Sequence, residues 1–163
     1  MIENLVKIGI ADLNVVAGSG VLRTSGLGSC VGVSLYDSNS QIAGMAHIML
    51  PSSEIARGGA LNLAKYADTA IPELVEQMSK LGASNKRLTA KMAGGAQMFA
   101  YCANSDTMRI GARNVEATKN QLNKLSIPIL AEDTGGNFGR TIEFYCESGV
   151  LLVRSVQQGD KEL

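Results

Sequence analysis

The chain has 163 residues, of which 45% are hydrophobic, and its 15 basic and 15 acidic side chains give a formal net charge of zero. This length suits one domain with a sizeable core, and the balanced charge gives no indication that the protein binds nucleic acid or an anionic membrane. The longest apolar runs have about eight residues, too few for the ~20 that a membrane helix needs. The N-terminus lacks the pattern of a signal peptide. We therefore expect a single domain over residues 1–163 that resides in the cytoplasm and does not insert into a membrane.

The first fifty residues are dominated by strand-like segments. Leu5 to Ile10 alternates well enough for a first strand, whereas Val15 to Thr24 is rich in glycine and irregular, with at most a short strand at Val21-Leu22. The runs Val31–Tyr36 and Ala43–Leu50 are apolar and separated by a short polar turn. This pattern predicts two adjacent strands.

A helix is predicted after this strand pair. One apolar stripe with helical spacing consists of Ile71, Leu74, Val75, Met78 and Leu81. Asp68 or Thr69 can cap the start of the helix, and Gly82 can end it. Pro72 is tolerable only in the first turn of a straight helix, so a helix that instead starts near Ala60 must be kinked at Pro72.

The second half of the chain adds a helix and several further strands. The predicted elements are a strand at Arg87–Ala93, a helix from about Arg113 to Leu125 with Val115, Leu122 and Leu125 facing inward, and strands at Pro128–Ala131, Thr141–Cys146 and Val150–Ser155. A hairpin turn at residues 147–149 joins the last two strands. Because strands outnumber helices and cluster in hairpins, we expect an α+β layered fold with antiparallel or mixed sheets.

Cys30 and His47 form the strongest chemical signal in the sequence. Cys30 lies between the glycine-rich Gly26-Leu27-Gly28 and a strand, and His47, the only histidine, lies in the next strand. Free cysteine has a pKa of about 8.5, so a nucleophilic thiol needs a neighbouring base. Backbone N–H groups of a glycine-rich loop can stabilise an oxyanion. Either residue alone is more often a buried structural side chain, but the pair predicts a cysteine hydrolase. A charged pair of the two would hold the thiol pKa below about 8.5.

No metal or cofactor is expected from the remaining motifs. The three cysteines, Cys30, Cys102 and Cys146, have no C-x-x-C spacing, which argues against zinc and against a disulfide framework. Cys102 and Cys146 lack a reactive setting and are predicted to be structural. Neither Gly26-Leu27-Gly28 nor Gly94-Gly95 continues into a phosphate-binding motif, so we expect no bound nucleotide.

Two further segments have both a structural and a functional interpretation. Gly111–Asn114 opens a helix. It either supplies hydrogen-bond donors to an anion or to a partner, or it is only an ordinary helix start. Asp133–Asn137 has the composition of a turn and either borders the active site or is only a turn.

Blocks of this sequence resemble the CheD family, the chemoreceptor glutamine deamidases of bacterial and archaeal chemotaxis. The blocks follow in family order over almost the whole chain and comprise Thr24–Val31, Gly44–Pro51, Lys65–Ala70, Lys91–Ala96, Gly111–Ala117 and Ala131–Asn137.

The resemblance implies that Cys30 is the nucleophile, that His47 is the general base and acid, and that Thr24 is the third member of the site. It implies a β-sandwich-like core flanked by helices, similar to cysteine-dependent deamidating toxins. The implied substrates are glutamine side chains on the cytoplasmic helices of chemoreceptors, and the implied partner is the phosphatase CheC. Thr24 could orient the imidazole through its hydroxyl or through its backbone carbonyl.

Two other functions remain open from the sequence. One is a cysteine amidase or esterase that acts on small molecules, which a deep closed pocket would favour over an open groove. The other is a binding module that acts mainly by regulating CheC and whose active site is dispensable.

Overall fold

A computed structural model describes residues 4–56, 58–98 and 109–163 of the chain. In these ranges, ten strands form two mixed five-stranded sheets. The first sheet contains, in spatial order, β1 (Leu5–Lys7), β3 (Val21–Leu27), β8 (Arg140–Tyr145), β9 (Val150–Ser155) and β10 (Gly159–Glu162). The second contains β2 (Leu13–Ala17), β5 (Ile42–Ile48), β4 (Val31–Asp37), β6 (Thr89–Gly94) and β7 (Ile129–Thr134). The α+β prediction with mixed sheets is confirmed.

The sheets and helices stack as three layers. One buried cluster lies between the two sheets and joins side chains of the first sheet, such as Leu22 and Phe144, to Met45 of the second. The opposite face of the second sheet packs against helix α1 (Ala67–Leu81) and helix α2 (Ile110–Lys124). The central sheet is covered on both faces, and β5 is accordingly buried along its whole length.

The first helix confirms the predicted apolar stripe and corrects its start. Met78 and most of the stripe are buried, and Gly82 ends the helix with a φ of 114°. The helix begins at Ala67, with Tyr66 as its N-cap and no side-chain cap bond. The capping prediction for Asp68 or Thr69 is therefore wrong, and Pro72 lies beyond the first turn. Packing of the apolar face against the second sheet outweighs the backbone hydrogen bond that proline cannot donate.

The second helix begins three residues before the predicted position, at Ile110. Leu122 is fully buried and Val115 partly so, as predicted, but Leu125 is exposed because the helix ends before it. Neither helix in the described ranges is long and apolar enough to cross a bilayer.

The N-terminal segments contain more strand than the sequence indicated. Leu13–Ala17 forms β2, which pairs antiparallel with β5, in a region predicted to be irregular. Strand β3 extends from Val21 to Leu27 and carries a bulge between Thr24 and Leu27. These strands gain their order from pairing with distant segments, which local sequence patterns do not report. The predicted strand pair β4–β5 is confirmed, with Gly32 directly opposite His47.

Candidate active site

His47 is held in a defined tautomer by a buried hydroxyl. Thr24 lies on β3 of the first sheet, and its Oγ1 is 2.7 Å from His47 Nδ1 and 2.7 Å from the carbonyl oxygen of Ile8. A hydroxyl has one hydrogen, and the Ile8 carbonyl can only accept it. Thr24 Oγ1 therefore accepts a hydrogen bond from His47 Nδ1–H, and the neutral ring carries its free lone pair on Nε2. The two sequence candidates Thr24 and His47 are thus in direct contact, through the hydroxyl of Thr24.

The imidazole is buried, and its Nε2 is left unpaired by the described residues. The His47 side chain is fully buried, and Nε2 has no hydrogen-bond partner within the described residues. The backbone of His47 is held by hydrogen bonds with Asp12 and Ala11. A buried basic nitrogen without a partner is uncommon in a folded protein and is the arrangement expected of a general base.

Cys30 lies at the same end of the same sheet. It directly precedes β4, two residues before Gly32, the residue opposite His47. Its half-buried side chain packs against the cluster between the sheets, on the face to which His47 also points. The thiol and Nε2 share this region without a hydrogen bond between them in the described structure.

The peptide carbonyls around Cys30 are all directed inward. The carbonyl of Gly28 accepts from Ala96 N–H, and that of Cys30 accepts from Gly95 N–H, both at 2.8 Å. The Ser29 carbonyl between them accepts from the side-chain amide of a helix residue. In contrast, the N–H groups of Ser29 and Cys30 donate to no acceptor in the described part of the chain. Free backbone donors beside a thiol are suited to binding an oxyanion.

The segment that holds the Cys30 carbonyl requires glycine. Gly94 has a φ of 107°, and a Cβ at this position would overlap the carbonyl oxygen of Cys30. Gly95 also has a positive φ and packs against Val115 of α2. The Gly94-Gly95 pair therefore supports the loop that contains Cys30.

Burial shifts both titratable groups toward their neutral forms. It raises the pKa of the Cys30 thiol and lowers the pKa of the His47 imidazole. This direction is opposite to the low thiol pKa expected from a charged pair. Burial therefore favours a neutral thiol and a neutral imidazole over a charged pair.

Asn114 contacts the site from α2. Its Nδ2 donates to the carbonyls of Ser29 (3.0 Å) and Met49 (3.1 Å). The sequence left open whether Gly111–Asn114 supplies donors to an anion or a partner. The Asn114 donors instead serve two carbonyls of the chain itself, which no local pattern in the sequence could identify.

Cys146 is not part of this arrangement. Cys146 is buried and free, with its Sγ 3.2 Å from the Gln41 carbonyl oxygen, which fits a structural role. Cys102 lies outside the described residues. Within those residues, no group of three or more His, Cys, Asp or Glu side chains could hold a metal ion.

The segment Asp133–Asn137 supports the site indirectly. Its first two residues belong to β7, and Gly135 N–H donates to the Gly94 carbonyl at 3.0 Å. Gln97 N–H donates to the Gly136 carbonyl at 2.9 Å. The segment therefore packs on the glycine pair that holds the Cys30 carbonyl.

Comparisons with known proteins agree on one family. A family model described as "CheD chemotactic sensory transduction" matches residues 49–155. The "chemoreceptor glutamine deamidase CheD" of Halalkalibacterium halodurans is 57% identical over 161 residues, covering 99% of each chain. The protein of the same name from Bacillus subtilis is 48% identical over 159 residues, covering 98% of this chain and 96% of the relative. The family model begins after His47, but the relatives extend over all three candidate site residues.

Proposed function

Because this chain belongs to the CheD family, we propose that it is a single-domain deamidase, residues 1–163, that converts glutamine side chains of chemoreceptors to glutamate. Cys30 is the nucleophile, His47 is the general base and acid, and Thr24 orients the imidazole. The relatives' names support deamidation of chemoreceptor glutamines. The observation that carries the roles of individual residues is the Thr24–His47 hydrogen bond, which leaves Nε2 unpaired on the sheet face where Cys30 also packs.

The proposed reaction begins from the neutral pair. His47 Nε2 takes the thiol proton as Sγ attacks the carboxamide carbon, and the N–H groups of Ser29 and Cys30 stabilise the oxyanion. Removing one such donor from comparable sites costs about 3 kcal/mol. The Nδ1–H bond to Thr24 stabilises the imidazolium that forms. His47 then protonates the leaving ammonia, and a Cys30 thioester remains.

Hydrolysis of the thioester completes the cycle. Neutral His47 takes a proton from water, whose oxygen attacks the thioester carbon, and then returns a proton to the Cys30 sulfur. The net reaction consumes one water and one glutamine carboxamide and yields glutamate and ammonia, with no cofactor required.

Exposed apolar side chains near the site favour a protein substrate over a small molecule. Five large ones belong to segments in contact with the site: Ile10, Met49, Leu61, Leu63 and Met98. Residues 10–12 adjoin the His47 backbone, and Asn62 Nδ2 donates to the Ala11 carbonyl. Met98 reaches Gly28 in the nucleophile loop. Exposed apolar patches of this kind are typical of interaction surfaces, so the small-molecule amidase or esterase is the less favoured alternative.

The decisive experiment is direct detection of the reaction. Purified protein is incubated with cytoplasmic fragments of a chemoreceptor, and conversion of glutamine to glutamate is mapped by peptide mass spectrometry. We expect conversion at specific glutamines with the parent protein and none with Cys30→Ala. A folded parent protein that converts no receptor glutamine, across a panel of receptor fragments, would contradict the proposed function.

We also propose, from the family resemblance, that a CheC-type phosphatase restrains this activity and that both proteins act in the cytoplasm, where the receptor helices lie. Titrating CheC into the assay should lower the deamidation rate in a graded way. Demonstrated binding without a rate change would contradict a shared or overlapping site. A module that acts only through CheC would keep its signalling effect in Cys30→Ala, whereas the deamidase should lose it.

A further inference from the structure

Asn114 connects the two halves of the candidate site. It is fully buried on α2, and its Nδ2 donates one hydrogen bond to the Ser29 carbonyl and another to the Met49 carbonyl. Ser29 directly precedes Cys30, and Met49 follows His47 by two residues. One amide group therefore links the nucleophile loop to the end of the strand that carries the base.

The orientation of this amide is set by the two carbonyls. Both Nδ2 hydrogens are used, while Asn114 Oδ1 is buried without a partner among the described residues. Leaving a buried acceptor unsatisfied is unfavourable for stability. The side chain thus satisfies the two backbone carbonyls at the expense of its own oxygen, so the arrangement has a local cost in stability.

The geometry of the peptide bond links Asn114 to the oxyanion donor. The Ser29 C=O and the Cys30 N–H belong to one planar trans peptide, so they point in opposite directions. Because Asn114 fixes the carbonyl toward the interior, the Cys30 N–H is directed away from it. This N–H has no acceptor in the described structure.

We infer that Asn114 is a positioning residue, which fixes the Ser29–Cys30 peptide so that the Cys30 N–H faces the developing oxyanion. The inference rests on the proposed function, in which Cys30 attacks a carboxamide. Without the Asn114 bond the Ser29–Cys30 peptide has no hydrogen bond of its own among the described residues, and the donor is less well preorganised for the transition state.

The first test compares substitutions of Asn114 with a matched control on the same helix. Asn114→Leu keeps the number and branching of the side-chain heavy atoms and removes both donors, and Asn114→Ala removes the side chain beyond Cβ. Thr118→Val is the control, because Thr118 is also buried, lies one turn further along α2, and has a hydroxyl without a partner in the described residues. Thermal unfolding establishes that each variant is folded at the assay temperature.

We expect the Asn114 variants to lower kcat by about 100- to 1000-fold, the effect of losing one oxyanion donor, with KM nearly unchanged. Alkylation of Cys30 by iodoacetamide should stay close to the parent rate, because the displacement of iodide by the sulfur develops no oxyanion. Thr118→Val should match the parent in both assays. Retained kcat in the Asn114 variants, or a parallel loss of kcat and alkylation, would overturn the inference.

The second test uses the parent protein and does not depend on the variants folding. Hydrogen exchange of the labelled protein, followed by NMR, should show rapid exchange of the Cys30 N–H and protection of the Gly95 and Ala96 N–H groups, which are hydrogen-bonded. A protected Cys30 N–H would refute the assignment. If the parent shows no deamidation at all, the proposed function fails, whereas the exchange pattern still decides the orientation of the peptide.

Discussion

Thr24→Val is the sharpest test of how the base is controlled. Valine has nearly the shape of threonine but has no hydroxyl. The substitution removes the hydrogen bond to the Ile8 carbonyl and the acceptor for His47 Nδ1–H. Thr24 is almost completely buried, so water does not readily replace either partner. The change therefore affects both the stability of the fold and the chemistry of His47.

The size of each effect follows from the two hydrogen bonds that valine cannot make. Each of the two buried groups left without a partner costs about 1–3 kcal/mol, so the free energy of unfolding should fall by about 2–6 kcal/mol. A hydrogen bond to a charged group is worth about 1.5–3 kcal/mol, and the imidazolium forms only during the reaction. With about 1.36 kcal/mol per factor of ten, kcat should fall by about 10- to 150-fold.

The assay measures ammonia release from a receptor fragment well below the melting temperature of each variant. Thr24→Ser keeps the hydroxyl and removes only a methyl group, so it serves as the control and should retain kcat within a few-fold of the parent. Thermal unfolding separates the loss of stability from the loss of turnover. A folded Thr24→Val protein with the parent kcat would show that the hydroxyl does not control His47.

Three other predictions concern the thiols, the pH dependence of the reaction and the pH dependence of stability. Cys30→Ala should abolish deamidation and keep the fold, whereas Cys146→Ala should keep kcat and lose stability. Turnover and thermal unfolding measure the two effects. Turnover by Cys30→Ala would exclude Cys30 as the nucleophile. Burial raises the pKa of Cys30 and lowers that of His47. The rate of Cys30 alkylation should therefore rise only beyond about pH 8.5, and kcat/KM should fall on the acid side only below about pH 6.5. Fast alkylation below about pH 8.5 together with an acid limb above about pH 6.5 would instead indicate a preformed ion pair. Burial alone would raise the pKa of Asp37, but hydrogen bonds from Arg87 and backbone N–H groups hold it below its ordinary range. The stability that Asp37 contributes should therefore be fully present above about pH 4 and decline as the pH falls below that value. In urea unfolding, Asp37→Asn should weaken this pH dependence of the free energy of unfolding, and an unchanged pH dependence would refute the prediction.

Local patterns in the sequence predicted the parts of the fold that depend on neighbouring residues. The apolar runs of β4 and β5 reflect strands that are covered on both faces, and the apolar stripe of α1 reflects one buried face, so their positions were confirmed. The glycine-rich setting of Cys30 and the uniqueness of His47 identified two candidate site residues from chemistry alone. Thr24 came only from the family resemblance, because its neighbours are ordinary strand residues.

The features that the sequence did not reveal depend on contacts between distant segments. Strand β2 exists because it pairs with β5, and no alternation within Leu13–Ala17 reports that pairing. Asn114 is separated from Ser29 by 85 positions, and nothing in its local sequence distinguishes it from an asparagine on the surface. The thiol pKa was expected to be low from its proposed partner, but burial opposes the charged form.

The pairing of β3 with β8 has a consequence for when the protein becomes functional. Residues 21–27 and 140–145 are neighbours in one sheet although more than a hundred positions separate them, and such long-range pairings form late in folding. The hairpin that carries Cys30 and His47 is local and can form early during synthesis. Thr24, Ile8 and His47 all lie in the first 47 residues, but the strand that carries Thr24 gains its second neighbour only when β8 has been made. A nascent chain would therefore hold the thiol, the imidazole and the hydroxyl before the first sheet is complete, and the arrangement would be stably held only at the end of folding.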